Sequence, residues 1–314
     1  MATGSLRYLR CCRTLRARAA AALCGWLCGV TSAQELEPRS YANLPVGMNF
    51  LVLGYAYSQG ALLPDPAIGL EDPELTLDTS IVAYSRSVGL GGLAGQVGVI
   101  QPYICLDGTA QRNGEQLSRE VCGPGDTYFR LGVNFYGAPA LTLSEFSGYR
   151  QDWIVGAVLR IQAPTGQYDD ERLVNLGSNR WRFNPELGAS KALGRLIVEM
   201  AAGISFFTDN NDFFGGSTRE QDPIYALQAH LIYNLPRNMW IAFDANFYRG
   251  GQSSVDGVAK DDRLESSRIG LTYALPLGRR QSLKFTAQTG LYARAGLQAD
   301  TFAVSWQYRW ARGY

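Results

Sequence analysis

The chain is predicted to be all-β: a transmembrane antiparallel β-barrel of the bacterial outer-membrane type, with about twelve strands. Three observations predict this. Apolar and polar residues alternate in segments of about ten to fourteen residues, and alternation with one apolar face is the signature of strands. The 13 Phe, 17 Tyr, 6 Trp and 35 Gly accompany only 18% charged residues, below the roughly 25% usual in soluble domains. Beyond the N-terminus no run of about 18 apolar residues exists to make a membrane-spanning helix. The aromatic content excludes a solvated, disordered chain. A net charge of +1 offers no broad basic surface for nucleic acid.

Residues 1–33 carry Arg7, Arg10, Arg13, Arg16 and Arg18 and no acidic residue. An apolar stretch from Ala19 to Val30 follows, then Thr31-Ser32-Ala33. This is the layout of a signal peptide cleaved after Ala33, which would send the chain to the outer membrane. Its apolar part is too short for a membrane anchor, and neither Cys24 nor Cys28 sits in a lipoprotein pattern. Cys11, Cys12, Cys24 and Cys28 leave with it, and so do five arginines, which makes the mature chain mildly acidic. Cys105 and Cys122 remain. In an exported protein such a pair reads as a disulfide, worth roughly 3 kcal/mol by loop closure. Two free thiols or half a metal site are the alternatives, and no nearby His or third Cys supports a metal. Residues 34–46 are expected to form a periplasmic N-terminal segment and residues 47–314 the barrel.

Strands are predicted near 47–59, 77–90, 93–105, 126–137, 151–164, 179–190, 195–209, 223–234, 239–250, 265–275, 281–294 and 299–311. The clearest runs from Arg180 to Ser190, with Trp181, Phe183, Pro185, Leu187 and Ala189 on one face and Arg182, Asn184, Glu186 and Gly188 on the other. Long polar connectors (60–76, 106–125, 165–178, 210–222, 251–264) alternate with tight turns (91–92, 191–194, 235–238, 276–280), as in outer-membrane barrels. A soluble sandwich also alternates. Two aromatic bands favour the membrane: Trp181, Phe183, Phe206, Tyr225, Phe247 and Phe302 toward the long loops, and Phe135, Trp153, Tyr233, Tyr273 and Trp310 toward the turns. One turn-side connector, 137–150, is long. Its Thr142-x-x-Glu145 is a capping box, predicting a short helix over 143–149. At the chain end Phe302, Val304, Trp306, Tyr308, Trp310 and Tyr314 share one parity, resembling the signal read by the barrel-insertion machinery; Arg312 departs from it.

The polar faces collect Arg130, Arg160, Arg180, Arg182, Glu186, Glu199, His230, Asp244, Arg268, Lys284 and Arg309. Facing lipid at mid-depth, each charge would cost roughly 2–4 kcal/mol, so these side chains are expected in the lumen. They serve there either as a polar lane for solutes or as an ion-paired filling, and the sequence leaves both open. No catalytic residue, cofactor or metal is expected. His230 is the single histidine and has no nucleophile motif attached. Gly89–Gly95 is glycine-rich but precedes no helix, and Asp209–Asp212 lacks the ligand spacing of a calcium loop.

Three stretches carry a family resemblance: Glu37-Pro38-Arg39-Ser40-Tyr41-Ala42-Asn43-Leu44-Pro45-Val46-Gly47-Met48-Asn49-Phe50, Ala163-Pro164-Thr165-Gly166-Gln167-Tyr168-Asp169, and Leu173-Val174-Asn175-Leu176-Gly177-Ser178-Asn179-Arg180-Trp181 running on to Pro185-Glu186-Leu187-Gly188. Over about residues 36–314 the chain resembles the outer-membrane proteins associated with meta-cleavage pathways of phenol and other aromatic degradation. The resemblance implies a channel for small, hydrophobic or aromatic solutes and supplies no catalytic or binding residues; Cys105 and Cys122 lie outside its pattern. The expected function is passive transport. The alternative is a structural or surface-interaction barrel with a closed lumen. The expected partners are outer-membrane lipid, the insertion machinery and an unidentified solute.

Overall fold

Each alternating segment forms a strand whose two faces meet different solvents. The computed structural model describes residues 37–63, 71–112, 114–172 and 174–311; the predicted signal peptide, Arg312 and Tyr314 lie outside them. In chain order the elements are β1 (Asn49–Leu63), β2 (Glu71–Leu90), β3 (Leu93–Arg112), β4 (Glu115–Pro124), β5 (Thr127–Tyr136), α1 (Leu143–Phe146), β6 (Trp153–Ala163), β7 (Arg182–Leu193), β8 (Leu196–Phe207), β9 (Asn210–Phe213), β10 (Ser217–Gln221), β11 (Ile224–Asn234), β12 (Trp240–Gly250), β13 (Ser253–Val255), β14 (Val258–Ala259), β15 (Leu264–Pro276), β16 (Gln281–Ala293) and β17 (Gly296–Trp310).

The wall strands pair antiparallel with their sequence neighbours, and β1 pairs with both β2 and β17, which closes the sheet. One half of β3 pairs with β5 and the other with β4, so β4 and β5 form a single interrupted strand and the barrel has 12 strands. Closure leaves no edge, the condition for a sheet in hydrocarbon, where an unpaired backbone group costs several kcal/mol. No helix among the described residues is long and apolar enough to cross a membrane; the strands make the crossing.

Parity then sorts the side chains. Leu53, Leu131, Leu187, Met200, Leu227, Leu231, Phe243 and Leu271 point outward and are exposed, flanked by Trp181, Phe206, Tyr225 and Phe302 at one level and by Phe135, Trp153 and Tyr233 at the other. A contiguous apolar belt of this size would aggregate in water. It is the lipid-facing surface, with aromatic girdles at both interfaces.

The structure departs from the sequence-based expectations mainly in the long connectors. Residues 106–125, expected as a loop, extend β3 and return as β4, pairing from Arg112–Glu115 down to Tyr103–Pro124. Thr109, Gln111, Gln116, Ser118 and Glu120 make its outward face polar, and on the other face Gly108 and Arg119 interrupt Leu106, Ala110, Leu117 and Val121, so the alternation is weak. Likewise β9, β10, β13 and β14, from the connectors at 210–222 and 251–264, form a separate 4-stranded sheet. The predicted helix over 143–149 is shorter, Leu143–Phe146. Its capping box is present: the Thr142 amide donates to Glu145 Oε2 at 2.8 Å, and the Glu145 amide donates to Thr142 Oγ1 at 3.4 Å.

Cys105 and Cys122 occupy directly opposite positions on β3 and β4 and are joined as a disulfide, with Cα atoms 4.0 Å apart and a sequence separation of 17. Both face outward, on the same side as Tyr103 and away from the lumen-facing Ile104 and Leu106. Because β3 and β5 already pair below it, the bond closes only the projecting hairpin. Reduction, or Cys105→Ser with Cys122→Ser, is expected to raise protease cleavage within 106–121 while leaving the heat-induced gel shift of the barrel unchanged. A matching loss of barrel stability would show that the hairpin supports the wall.

Candidate functional site

Inward-facing positions of β5–β8, β11, β12 and β15 form a polar wall. Glu186, Glu199, His230 and Asp244 are 4%, 1%, 2% and 0% exposed. Buried charges persist only when paired or hydrogen-bonded, and each of these has partners. Arg160 Nη1 lies 2.9 Å from Glu186 Oε2, and Gln228 Nε2 donates to the same oxygen at 3.0 Å. His230 Nδ1 is 2.7 Å from Asp244 Oδ1, and Thr272 Oγ1 donates to Asp244 Oδ2 at 2.8 Å. The pairing register places Glu199 and Asp244 on either side of His230.

The segment expected on the periplasmic side, 34–46, instead runs inside the barrel from Glu37 onward. It enters at the turn-side end, where the Val46 amide donates to Leu141 O at 2.8 Å and Ser87 Oγ donates to Pro45 O at 2.5 Å. Deeper in, its backbone is held by wall side chains. The amides of Ser40 and Tyr41 donate to Glu199 at 3.1 and 3.3 Å, Arg130 Nη2 donates to Ser40 O at 3.3 Å, and Asn134 Nδ2 donates to Ala42 O at 3.4 Å. Arg39 donates to Asn234 and stacks 4.8 Å from the Trp240 ring. Glu37 lies 3.4 Å from Arg160 and 3.7 Å from Arg130. The physical reason for the departure is this complementarity: the wall presents carboxylates and guanidiniums that the segment's amides, Arg39 and Glu37 answer.

Tyr41, 1% exposed, is the centre of this contact. Its hydroxyl donates to Glu186 Oε1 at 2.7 Å, and its ring lies over Gly188, where a Cβ would fall 2.1 Å from a ring carbon. Burial raises the phenol's pKa and the neighbouring Glu186 raises it further, so the group stays a donor. Burial opposes ionisation of Glu37, but Arg130, Arg160 and Lys284 outweigh it and hold its carboxyl at about 2. A lowered pKa means this anchor is complete above the ordinary glutamate range and is lost only as pH falls through about 2.

A second constellation shapes the long-loop end. Asp126, at the break between β4 and β5, accepts from the Gly166 amide (2.8 Å), the Ser178 amide (2.9 Å), Ser178 Oγ (2.6 Å) and Gln162 Nε2 (2.7 Å). These bonds draw the connector from 164 to 181 inward. Gly166 and Gly177 meet backbone to backbone, and a Cβ on Gly166 would fall 2.7 Å from Gly177 Cα. Leu176 then packs into an apolar cluster with Leu75, Leu77, Ile104, Leu106 and Ala299. Each glycine and Leu176 lies in the family-like stretches, which gives those residues a steric reason.

Of the predicted lumen residues, Arg130, Arg160, Glu186 and Glu199 are brought together around the N-terminal segment. Arg180 and Arg182 gather at the long-loop end, where their guanidiniums lie 4.4 and 5.7 Å from the Phe207 ring. His230 and Asp244 form their own pair. Arg268 and Lys284 are on inward positions farther round the wall, and Arg309 sits at the turn-side rim, donating to Arg279 O at 3.0 Å. Sequence reasoning missed Tyr41 and Asp126. Tyr41 had a signal, its place in a family-like stretch beside Pro-Glu-Leu-Gly; Asp126, one acidic residue at a strand start, had none.

Removing Arg160 takes the cation away and leaves the Glu186 carboxylate buried without its ion-pair partner. Arg160→Met is expected to cost about 3–5 kcal/mol, read as a lower urea midpoint of the folded band on gels. Lys191→Met, at the half-exposed pair with Asp152, is expected to cost less than about 1 kcal/mol. Equal effects would show that the lumen pair contributes no more than a surface one.

Among curated proteins no sequence matches the chain. Among solved structures, an outer membrane channel from Pseudomonas putida F1 superposes with a TM-score of 0.74 at 22% identity, covering 88% of this chain and 100% of that one. The β domain of the Bordetella autotransporter BrkA gives 0.50 at 12% identity, with coverages of 83% and 99%. The transport unit of the autotransporter AIDA-I from Escherichia coli gives 0.50 at 8%, with coverages of 92% and 96%. At such identities these likenesses are of fold, the closed outer-membrane barrel. Residues 64–306, most of the chain, match a single family, and the protein therefore belongs to the family described as "Putative MetA-pathway of phenol degradation".

Proposed function

We propose that this barrel is a bacterial outer-membrane channel for passive passage of small hydrophobic or aromatic solutes. In this reading the 1–33 leader directs export and the C-terminal strand engages the insertion machinery. The observation that carries the reading is how the lumen is filled. Residues 37–45 are held by side chains of the wall, not by a β-ladder, so a few contacts can be exchanged without breaking a strand. Such an occupant can be displaced while the barrel stays closed by its own ladders. The lumen-lining residues divide accordingly: Arg130, Arg160, Glu186 and Glu199 position the segment, and Tyr41 narrows the passage. His230 takes a structural role with Asp244, and no catalysis is assigned.

The same filling supports a second reading, a structural barrel closed to solutes, with the disulfide-bonded β3–β4 hairpin as its contact surface. Conductance separates the two. In planar bilayers the purified protein is expected to give small channels. Tyr41→Ala, which removes the ring, and Gly188→Ala, whose methyl would collide with it, are both expected to raise conductance severalfold. Conductance equal to wild type in both variants would remove the segment from the conducting path. Silence in all three proteins would favour the closed barrel.

A further inference from the structure

The register sets two arginines face to face. Arg130 of β5 lies directly opposite Arg160 of β6, both on inward positions. Like charges directly opposite each other on a sheet destabilise it, and an anion shared between them removes the repulsion. The wall carboxylate beside them, Glu186, is already taken: it accepts from Arg160, Gln228 and the Tyr41 hydroxyl. The anion between the two arginines comes instead from the N-terminal segment. Glu37 Oε2 lies 3.4 Å from Arg160 Nη2 and 3.7 Å from Arg130 Nε, and Lys284 of β16 adds its charge to theirs.

Glu37 fills this place loosely. Charge-assisted N–H···O bonds close to about 2.8 Å, and neither contact reaches that length. Arg130 is 8% exposed, yet its Nε, the atom nearest Glu37, has no hydrogen-bond partner. The tether accounts for the gap: Ser40 Oγ donates to Glu37 O at 2.9 Å, and the Ser40 amide is fixed on Glu199. The Glu37 side chain is 38% exposed and so open to exchange. A carboxylate with no chain attached is free to settle closer to both guanidiniums. A neutral solute has no such exchange to offer, because displacing Glu37 would leave buried cations without an anion, which is costly. On the long-loop side stands Arg182, opposite Gln162 and one inward position beyond Arg160. Its Nη2 donates to Ser205 Oγ at 2.8 Å, and its buried Nε has no hydrogen-bond partner. An anion arriving from that end meets Arg182 before Arg160.

We propose that Arg130, Arg160 and Lys284 form a binding site for a small organic carboxylate, occupied at rest by Glu37 of the N-terminal segment and taken over by the carboxylate of a solute, with Arg182 as the step leading to it. This rests on the channel reading and narrows its solute to one that carries a carboxylate. It also makes the segment a competitor of the solute: one carboxylate leaves the arginines as the other arrives.

The test is block of potassium chloride current through the purified full chain in planar bilayers, by benzoate and by its uncharged counterpart benzamide. A solute seated among the arginines stands in the ion path. Benzoate is therefore expected to lower the current saturably, and benzamide at the same concentrations to leave it unchanged. Glu37→Gln removes the resident carboxylate and is expected to lower the half-blocking benzoate concentration about tenfold. Lys284→Met removes a cation and is expected to raise it about tenfold, the scale of one bond to a charged group. Glu37 lies on the segment and not in a strand, so Glu37→Gln reads the site even where Lys284→Met fails to insert. Binding is also read without current, as saturation transfer from the protein to the benzoate ring protons, which acetate is expected to compete away. A wild-type protein silent in potassium chloride would overturn the channel reading itself. Equal block by benzoate and benzamide, a half-blocking concentration unchanged in Glu37→Gln, or saturation transfer that acetate does not reduce would overturn the carboxylate site and leave the channel standing.

Discussion

In hydrocarbon, every backbone N–H and C=O must be satisfied by the protein itself. The pairing of β1 with β17, from Asn49–Trp310 to Leu63–Gly296, meets that constraint, and the rest of the molecule depends on it. Once the sheet is closed, side-chain parity has only two destinations. Odd positions of β1 and even positions of β17 enter lipid as leucines and aromatics. Their neighbours enter a space whose chemistry is independent of the membrane. The same closure lets the short turns carry so little structure and the long connectors so much.

The lumen is then a problem of polar satisfaction at low dielectric. Glu186, Glu199 and Asp244 are almost fully removed from water, and none stands alone. Arg160 and Tyr41 share Glu186, two backbone amides share Glu199, and His230 with Thr272 holds Asp244. Part of this satisfaction, the Tyr41 hydroxyl and the amides of Ser40 and Tyr41, comes from outside the wall, from a segment that precedes the first strand. The segment docks where its hydrogen bonds are answered, by wall carboxylates and guanidiniums deep in the lumen and by Ser87 and Leu141 at the turn-side end.

The connector from 164 to 181 shows the same logic at the other end. A single carboxylate, Asp126, gathers four donors, and the close approach of Gly166 to Gly177 lets the turn fit under them. What it delivers to the barrel mouth is apolar, Leu176. Arg180 and Arg182 stand at the same end, so the mouth carries both apolar and charged groups.

Much of this was legible in the amino-acid sequence alone. Alternation located the wall strands, because each must present one face to lipid, and that requirement writes a period of two into the chain. Parity also placed Arg130, Arg160, Glu186, Glu199, His230 and Asp244 inside, because no other side of a membrane strand tolerates charge. Two cysteines left after a predicted signal peptide indicated the disulfide. Tertiary structure alone decided what those side chains meet. Residues 37–45 have no periodicity, since their backbone bonds to side chains far along the chain and not to a neighbouring strand. The β3–β4 hairpin is polar on its outward face and has Gly108 and Arg119 breaking the apolar run on the other, which leaves only a weak pattern. The gathering of Arg130, Arg160, Glu186 and Glu199 around residues 37–45 depends on the register of strands that lie far apart in the sequence, which becomes definite only when the sheet closes.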